Sequence, residues 1–220
     1  MRSYDQYCAL ARALDIVGDR WTLLVVRELL VRPCRYAELQ AGLPGIATNL
    51  LADRLRLLED AGVVDHDERG RYQLTARGQR LAAPVRELAR WAAPLMDCQE
   101  DADAFRGHWL AVPVGMMFGG TDPARPALAI EIRADAETVS MHSAGGRVSF
   151  RPGPADSPDL VVSGPPDAIV GLLSGRLTAE AAAEQGVSIL GDGTALDRLR
   201  QPDWISASLS AAAAAGPPGR

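Results

Sequence analysis

Lysine is absent from this sequence of 220 residues, so all 23 of its basic side chains are arginine. Cysteine is scarce as well, with three residues, Cys8, Cys34 and Cys98. Their odd number and wide separation exclude a disulfide framework and a zinc site, and they indicate a protein of the reducing cytoplasm.

Histidine is also rare, and it gives no sign of a metal site. The three histidines are His66, His108 and His142. None of them has ligand-like spacing to another histidine or to a cysteine. Ser143, beside His142, has no evident base. We therefore predict no metal, no cofactor and no enzymatic activity.

Long apolar runs are missing too. No stretch approaches the ~18 uninterrupted apolar residues of a membrane span. The first 18 residues carry Arg2, Asp5, Arg12 and Asp15 among their apolar positions, which does not match a signal peptide. We expect a soluble cytoplasmic protein that does not enter a membrane. A chain of 220 residues can form one large domain or two small ones.

The acidic charge of the chain lies in its second half. The formal net charge is −5. Residues 1–97 contain 14 arginines against 13 acidic residues, a net charge of +1. Residues 98–220 contain 9 arginines against 15 acidic residues, a net charge of −6. The near-neutral first half can still bind DNA if its arginines cluster on one face, with fewer phosphate contacts than a strongly basic module makes.

An amphipathic helix is predicted over residues 47–61, between a proline-glycine break and the glycine at 62. Leu51, Leu55 and Leu58 recur at helical spacing and so share one buried face. The polar residues on the opposite side are Thr48, Asn49, Asp53 and Arg56. Such side chains can meet base edges or phosphates. Taken alone, the stretch fits an ordinary surface helix better than a reading helix.

The neighbouring segments favour DNA reading. Residues 35–41 predict a short helix, and a glycine-containing turn joins it to the helix over 47–61 in a helix-turn-helix. Residues 63–74 predict a β-hairpin with Arg69 and Arg71 near its tip. A hairpin after a reading helix forms a wing, whose arginines can reach phosphates or a minor groove.

A further helix is predicted over residues 75–96, where Pro84 either kinks or splits it. So small a unit leaves this helix little to pack against. It either forms a dimer surface, together with a helix predicted over residues 7–17, or packs against a second domain.

The motifs YCALARALDIVGDRWTLLVVRELL, RYAEL, LPGIATNLLADRLRLLEDAGVV and YQLTARG occur in this order over residues 5–96. In order and spacing they resemble the HxlR family of winged helix-turn-helix transcriptional regulators. The resemblance implies a homodimer on a near-palindromic operator of double-stranded DNA, with the helix over 47–61 in the major groove. The residues it places at the DNA are Arg35, Thr48, Asn49, Asp53 and Arg56, with the wing around Arg69 and Arg71.

Two features qualify this resemblance. Family members more often have Ser-x-Lys where this chain has Ala47, Thr48 and Asn49, so the base preference does not transfer. Cys8 stands where many members have an N-terminal cysteine, which in some of them senses oxidants or electrophiles. The simpler interpretation of Cys8 is a small apolar residue of the first helix.

The second half predicts an α+β domain over residues 98–205, with an antiparallel sheet covered by helices. Three strand-like runs form a meander over residues 127–151, and a fourth strand and two helices follow before a short strand at 187–190. A last helix is expected over 194–200. Residues 206–220 are rich in Ala, Gly and Pro and predict a disordered tail.

Residues 105–201 resemble, in pattern more than in chemistry, the sterol carrier protein type two fold, whose sheet and helices enclose an apolar tunnel. The resemblance implies a pocket for a small hydrophobic ligand. Its candidate lining is Trp109, Met116, Met117, Phe118, Ile130, Met141, Phe150 and Leu172. The alternative is that these side chains simply fill the core.

Three hypotheses follow for the function. The first is a dimeric transcriptional regulator whose second domain binds an apolar ligand. The second is a regulator whose second domain is only structural. The third is a lipid carrier or an enzyme with an appended helix-turn-helix, for which the sequence offers no catalytic residues.

Overall fold

The computed structural model describes residues 3–92, 104–110, 126–134, 137–145, 147–173 and 177–195. The chain divides into two compact units, Met1–Glu87 and Leu88–Arg220, and each has its own buried apolar residues. The predicted boundary between residues 97 and 98 lies outside the described residues, as do Cys98, most of the helix expected over 194–200, and the tail over 206–220.

Four helices open the N-terminal unit. They are α1 (Ala9–Val17), α2 (Thr22–Val31), α3 (Tyr36–Gly42) and α4 (Thr48–Asp60). The central helix is α2, since Val25 and Val26 are fully buried and Leu29 is only 2% exposed. Each such burial stabilises the fold by about 1.5–3 kcal/mol. Pro33 follows two residues after α2, where it cannot continue the helix.

A two-stranded antiparallel hairpin follows α4, so the predicted wing is confirmed. Its strands are β1 (Val64–His66) and β2 (Tyr72–Leu74), with His66 opposite Tyr72. Gly62, between α4 and the hairpin, has a φ of +66°. Glycine adopts this left-handed conformation without the steric cost that a Cβ would add.

The helix predicted over residues 75–96 is two helices in the described part, α5 (Ala76–Gln79) and α6 (Ala82–Ala92). The Thr75 hydroxyl accepts a hydrogen bond from the backbone N–H of Gly78 at 3.1 Å and so caps α5. The break falls before Pro84, which lies in the first turn of α6. A proline is tolerated there because its missing N–H would have no intrahelical partner.

The C-terminal unit is built on a five-stranded sheet. Its strands are β3 (Leu128–Ala134), β4 (Glu137–Ala144), β5 (Arg147–Pro152), β6 (Leu160–Gly164) and β7 (Ser188–Gly191). Their order across the sheet is β5-β4-β3-β6-β7. The described helical elements of this unit beyond α6 are a 3-10 turn (Gly107–Leu110), α7 (Pro166–Leu173) and α8 (Ala179–Glu184).

The prediction of an antiparallel sheet was wrong for one strand pair. β6 runs parallel to β3, with Ile130 opposite Leu160, so the sheet is mixed. The chain leaves β5 at one edge and crosses the sheet to reach the far side of β3. The backbone N–H of Ala155, in this connection, donates to the carboxylate of the buried Glu131 on β3 at 3.0 Å. Burial alternates in the same way in parallel and antiparallel strands, so the sequence pattern alone did not give the direction.

One face of the sheet packs against α7 and α8 in an apolar core. Three of the predicted ligand-pocket residues, Ile130, Met141 and Leu172, are buried in this core. Phe150, opposite Met141 on the neighbouring strand, packs against it and is half-buried. Trp109 lies half-buried in the 3-10 turn. The remaining candidates, Met116, Met117 and Phe118, lie outside the described residues.

Within the described ranges, no helix has the length and apolar character needed to cross a membrane.

Candidate nucleic-acid interface

The turn between α3 and α4 fixes the two helices of the helix-turn-helix. Leu43 and Ile46 are 1% and 7% exposed, so both ends of the turn are anchored in the core. Gly45 has a φ of +86°, in the left-handed region that glycine adopts most readily. The short apolar turn therefore sets the angle at which α4 leaves α3.

Helix α4 has one buried face and one exposed face, as the sequence predicts. Leu51, Leu55 and Leu58 are at most 1% exposed. The predicted DNA-facing residues of α4, all exposed, are Thr48, Asn49, Asp53 and Arg56. Anchoring by the three leucines holds this polar surface on a rigid helix rather than on a mobile loop.

The first residue of α4 is held by two side chains of α3. The Tyr36 hydroxyl donates to the backbone carbonyl of Thr48 at 2.6 Å, and the Gln40 amide Nε2 donates to the Thr48 hydroxyl at 2.8 Å. Tyr36 and Gln40 were not among the functional residues predicted from the sequence. Their spacing of four residues on a helix places them on one face, but it does not show what that face contacts.

Charged pairs differ in role along α4. Arg56 lies 3.1 Å from Asp53, and both side chains are more than half exposed. Exposed pairs of this kind contribute little to stability, so Arg56 is free to exchange Asp53 for a phosphate or a base. Arg54 is only 18% exposed and pairs with Asp19, before α2, at 2.7 Å. Arg54 was not among the predicted site residues, and its position supports a structural role.

Arg35, the remaining predicted contact outside the wing, is the residue before α3 and is exposed. Its backbone N–H donates to the Glu38 carboxylate at 2.6 Å. This hydrogen bond is the largest cause that lowers the pKa of Glu38. Glu38 also pairs with Arg32 at 2.9 Å. The positive charge of the Arg35 guanidinium also lowers the pKa of Glu38.

The wing tip is organised by the carboxylate of Asp67. It accepts hydrogen bonds from the backbone N–H groups of Arg69 and Arg71, each at 2.9 Å. The Arg71 backbone contact is the main reason that the pKa of Asp67 is lowered. Arg71 also pairs with Asp67 through its guanidinium at 2.7 Å, whereas the Arg69 side chain is exposed. The two predicted wing arginines therefore differ in availability.

The base of the wing is attached to α4 and to the segment before α3. His66 Nδ1 lies 3.2 Å from the Glu59 carboxylate of α4, and the His66 ring lies 4.4 Å from the Tyr72 ring. Cys34 and Tyr72 exchange two backbone hydrogen bonds, of 3.0 and 2.9 Å. The wing is thus fixed to α4 and to the segment that leads into α3.

The two described cysteines differ in exposure. Cys8 precedes α1 and is exposed, whereas Cys34 is buried. Burial raises the pKa of the Cys34 thiol to about 11. A thiol held neutral in this way is a poor nucleophile at neutral pH. Among the described residues, no group of three or more His, Cys, Asp or Glu side chains is arranged to hold a metal ion.

Comparison with known proteins places this geometry in a family. Residues 16–100 match the model of the HxlR-like helix-turn-helix family. The transcriptional regulator YvaP of Bacillus subtilis is 37% identical over 92 residues, which cover 39% of this chain and 85% of YvaP. This chain belongs to the HxlR-like helix-turn-helix family. It is a DNA-binding transcriptional regulator of the HxlR type, and its N-terminal unit is a winged helix-turn-helix.

Two further known proteins are similar to part of this HxlR-type regulator. The regulator Rv3095 of Mycobacterium tuberculosis is 38% identical over 89 residues, which cover 38% of this chain and 56% of Rv3095. The crystal structure of quinone-bound YodB from B. subtilis is 32% identical, covers 38% of this chain and 94% of YodB, and has a TM-score of 0.36. Because the family model matches residues 16–100, the family assignment concerns mainly the N-terminal unit, Met1–Glu87.

Proposed function

We propose that this HxlR-type regulator binds a near-palindromic operator as a homodimer and inserts α4 of each protomer into the major groove. The exposed row of Thr48, Asn49 and Arg56, opposite the three buried leucines of α4, carries this proposal. Asparagine pairs well with adenine and arginine with guanine in the major groove, and threonine can donate to either purine.

Three further positions complete the proposed contact surface. Arg35 and Arg69 are exposed and reach phosphates beside the groove, while Asp53 accepts from a cytosine amino group or orients Arg56. Arg71 acts mainly within the wing because Asp67 already holds it. The near-neutral charge of residues 1–97 makes base contacts more important for binding than general electrostatic attraction to phosphates.

The proposed homodimer uses α1 as part of its interface. Tyr7, just before the helix, and Leu10 and Leu14 within it are exposed, and Ala11 is the buried residue of α1. On α6, Leu88 and Trp91 are likewise exposed, at 50% and 77%. Large apolar side chains repeated on one helix favour association with another subunit. Analytical ultracentrifugation of the full chain and of Leu10→Glu tests this step, and a monomeric wild-type protein would contradict it.

The C-terminal unit is the proposed site of a small hydrophobic ligand, in keeping with the sterol carrier-like pattern of residues 105–201. The support is that Ile130, Met141 and Phe150 lie side by side on the sheet face that α7 and α8 cover. A ligand bound there biases DNA binding only through different affinities for the DNA-competent and incompetent states. The alternative is a structural unit whose apolar residues form only a core.

Native mass spectrometry and titration with apolar dyes distinguish these two roles of the C-terminal unit. A ligand site predicts a bound compound or a saturable dye, and a change in operator affinity when the site is filled. A protein that takes up neither, or that binds its operator equally with and without the compound, has a structural C-terminal unit. Met141→Trp places a larger ring in the proposed site and should reduce dye uptake, and its melting temperature shows whether the enlarged side chain is accommodated.

The DNA-reading role is tested with an operator selected from random-sequence DNA by the full chain. We expect Asn49→Ala and Arg56→Ala each to lose ~5- to 100-fold in operator affinity while retaining non-specific binding. Arg80→Ala, an exposed arginine outside α3, α4 and the wing, is the control and should bind as the wild type does. Undiminished operator specificity in both α4 variants would exclude α4 as the reading helix.

A further inference from the structure

The contacts of Gln40 determine how the Thr48 hydroxyl can act on a partner. A threonine hydroxyl has one hydrogen to donate and two lone pairs to accept with. The Gln40 amide Nε2 donates to this oxygen at 2.8 Å and so occupies one lone pair. The hydroxyl hydrogen must then point away from Gln40. Within the described residues, no hydrogen bond uses this hydrogen, and Thr48 is exposed.

The Tyr36 contact has a different consequence. Its hydroxyl donates to the Thr48 backbone carbonyl, so it fixes the position of the first turn of α4 and leaves the Thr48 side chain unconstrained. Ala47, which precedes the helix, makes no side-chain capping hydrogen bond. The start of α4 is therefore held by α3, with Tyr36 acting on the backbone and Gln40 on the side chain.

We propose that Gln40 is a positioning residue for sequence reading, which fixes the Thr48 hydroxyl as a hydrogen-bond donor toward an acceptor atom of the operator. The inference rests on the proposed role of α4 as the reading helix. A free threonine hydroxyl rotates, and it can donate to an acceptor or accept from a base amino group. Accepting from Gln40 occupies one of the two lone pairs and polarises the O–H bond, so donation to an acceptor is strengthened and an adenine or cytosine amino group at that position becomes the weaker partner.

Two kinds of DNA atom offer the required acceptor. One is a non-bridging phosphate oxygen, which positions the protein without reading sequence. The other is a base acceptor in the major groove, such as purine N7, guanine O6 or thymine O4. The Thr48 hydroxyl donates a hydrogen bond in both cases. Chemically modified operators distinguish a phosphate acceptor from a base acceptor.

The test is a double-mutant cycle on the full chain, measured as operator affinity at one fixed salt concentration. Thr48→Val removes the hydroxyl at constant shape, and Gln40→Met removes the amide at nearly constant length. Thr48→Ser keeps the hydroxyl and should bind close to the wild type. We expect Thr48→Val and Gln40→Met each to weaken operator binding ~3- to 10-fold. In the Thr48→Val background, Gln40→Met should change the affinity less than twofold.

Two modified operator series identify the acceptor. The base series removes N7 with 7-deaza purines, guanine O6 with 2-aminopurine and thymine O4 with 5-methyl-2-pyrimidinone, and the phosphate series replaces single phosphates by methylphosphonates, which removes a charged acceptor. One modification should weaken the wild-type protein and leave Thr48→Val unaffected. Selection from random-sequence DNA with Gln40→Met should show relaxed base preference at one position if the acceptor is a base, and unchanged preference if it is a phosphate.

A purely structural role for Gln40 predicts other results. Gln40→Met would then lower the melting temperature, and it would weaken operator binding equally with threonine or valine at position 48. Either equal weakening or wild-type operator affinity in Gln40→Met overturns the inference. If Asn49→Ala and Arg56→Ala also bind as the wild type does, the proposed role of α4 itself fails. If Gln40→Met alone binds the operator as the wild type does, α4 remains the proposed reading helix and only the positioning role of Gln40 is excluded.

Discussion

Asp67 holds the guanidinium of Arg71 at 2.7 Å across the tip of the wing, and the same carboxylate accepts the backbone N–H of Arg71 at 2.9 Å. The contact closes the hairpin and neutralises one of the two arginines that the sequence places at the tip. Arg69, whose backbone N–H is also bound by Asp67, keeps its side chain exposed. Among the described residues of the tip, Arg69 is therefore the arginine whose guanidinium Asp67 does not pair.

Releasing Arg71 should change how the protein binds DNA in general. Asp67→Ala removes the ion pair and the two backbone contacts, so Arg71 becomes available for a phosphate. We expect tighter non-specific DNA binding at low salt, and a plot of log affinity against log salt that is steeper by up to about one unit. Fluorescence anisotropy with non-operator DNA measures both quantities.

Glu68→Ala is the matched control for Asp67→Ala. It removes the same charge from the next position, and Glu68 is exposed. Equal effects of the two substitutions would mean that net charge, and not the release of Arg71, controls binding. The lowered pKa of Asp67 determines the pH range over which its carboxylate stabilises the wing tip. This stabilisation is complete above about pH 4, the ordinary pKa of an aspartate side chain. It is lost as the pH falls through the lowered pKa of the folded state.

The thiol of Cys34 predicts a loss of stability at alkaline pH. Its pKa is raised to about 11 by burial, above the value in the unfolded chain. The folded state therefore binds the proton more tightly, so the stability that the neutral thiol contributes is complete below about pH 9, the ordinary value, and is lost as the pH rises to 11. A difference of about two pKa units corresponds to at most about 3 kcal/mol.

Urea unfolding between pH 8 and pH 11 measures this contribution. The free energy of unfolding of Cys34→Ala should depend less steeply on pH than that of the wild type over this range. Identical slopes would show that the pKa of the Cys34 thiol does not differ between the folded and unfolded states.

Cys34 also provides the buried reference for the reactivity of Cys8. If Cys8 reacts with iodoacetamide at neutral pH as slowly as Cys34, a sensing role for Cys8 is excluded.

Two arginines separated by one position on α4 should behave in opposite ways. Arg54 is 18% exposed and pairs with Asp19, while Arg56 is 70% exposed. Arg54→Ala removes a packed stem and an ion pair, and we expect it to cost about 1–2 kcal/mol of stability. Arg56→Ala should change stability by less than ~0.5 kcal/mol but lose operator affinity. Urea unfolding and gel shift of both variants measure the two effects.

Asp19→Asn is the control for the Arg54 pair. Asp19 is 58% exposed, so water screens its charge, and the substitution should cost less than ~1 kcal/mol. A cost as large as that of Arg54→Ala would show that the ion pair, and not packing of the arginine stem, stabilises this contact. A stable Arg54→Ala protein that has lost operator binding would instead move Arg54 to the reading surface.

The α4 register was predictable from the sequence because apolar spacing alone determines which side is buried. The positions of Leu51, Leu55 and Leu58, and the hairpin after Gly62, follow from that pattern and are confirmed. The contacts of Tyr36 and Gln40 were not predictable, because they depend on the angle between α3 and α4. The parallel pairing of β6 with β3 was also not predicted, because it depends on the path that the chain takes between the strands.

The turn of the helix-turn-helix should depend on glycine for its backbone conformation rather than for space. Gly45 has a φ of +86°, and a Cβ added there would lie 3.8 Å from Cη2 of Trp21, an ordinary contact distance. Gly45→Ala should nevertheless cost about 1–2 kcal/mol, because a Cβ disfavours the left-handed conformation. Gly45→Asn should cost less, since asparagine tolerates that region better. Gly193→Ala is the control, because Gly193 has open space around it and no positive φ. This substitution should be nearly neutral.

Because the turn sets the angle of α4, Gly45→Ala should also weaken operator binding, measured by gel shift at a temperature where the variant is folded. A variant that keeps wild-type stability would show that the turn relaxes to a right-handed conformation, and retained operator affinity would then show that reading tolerates a different angle between α3 and α4.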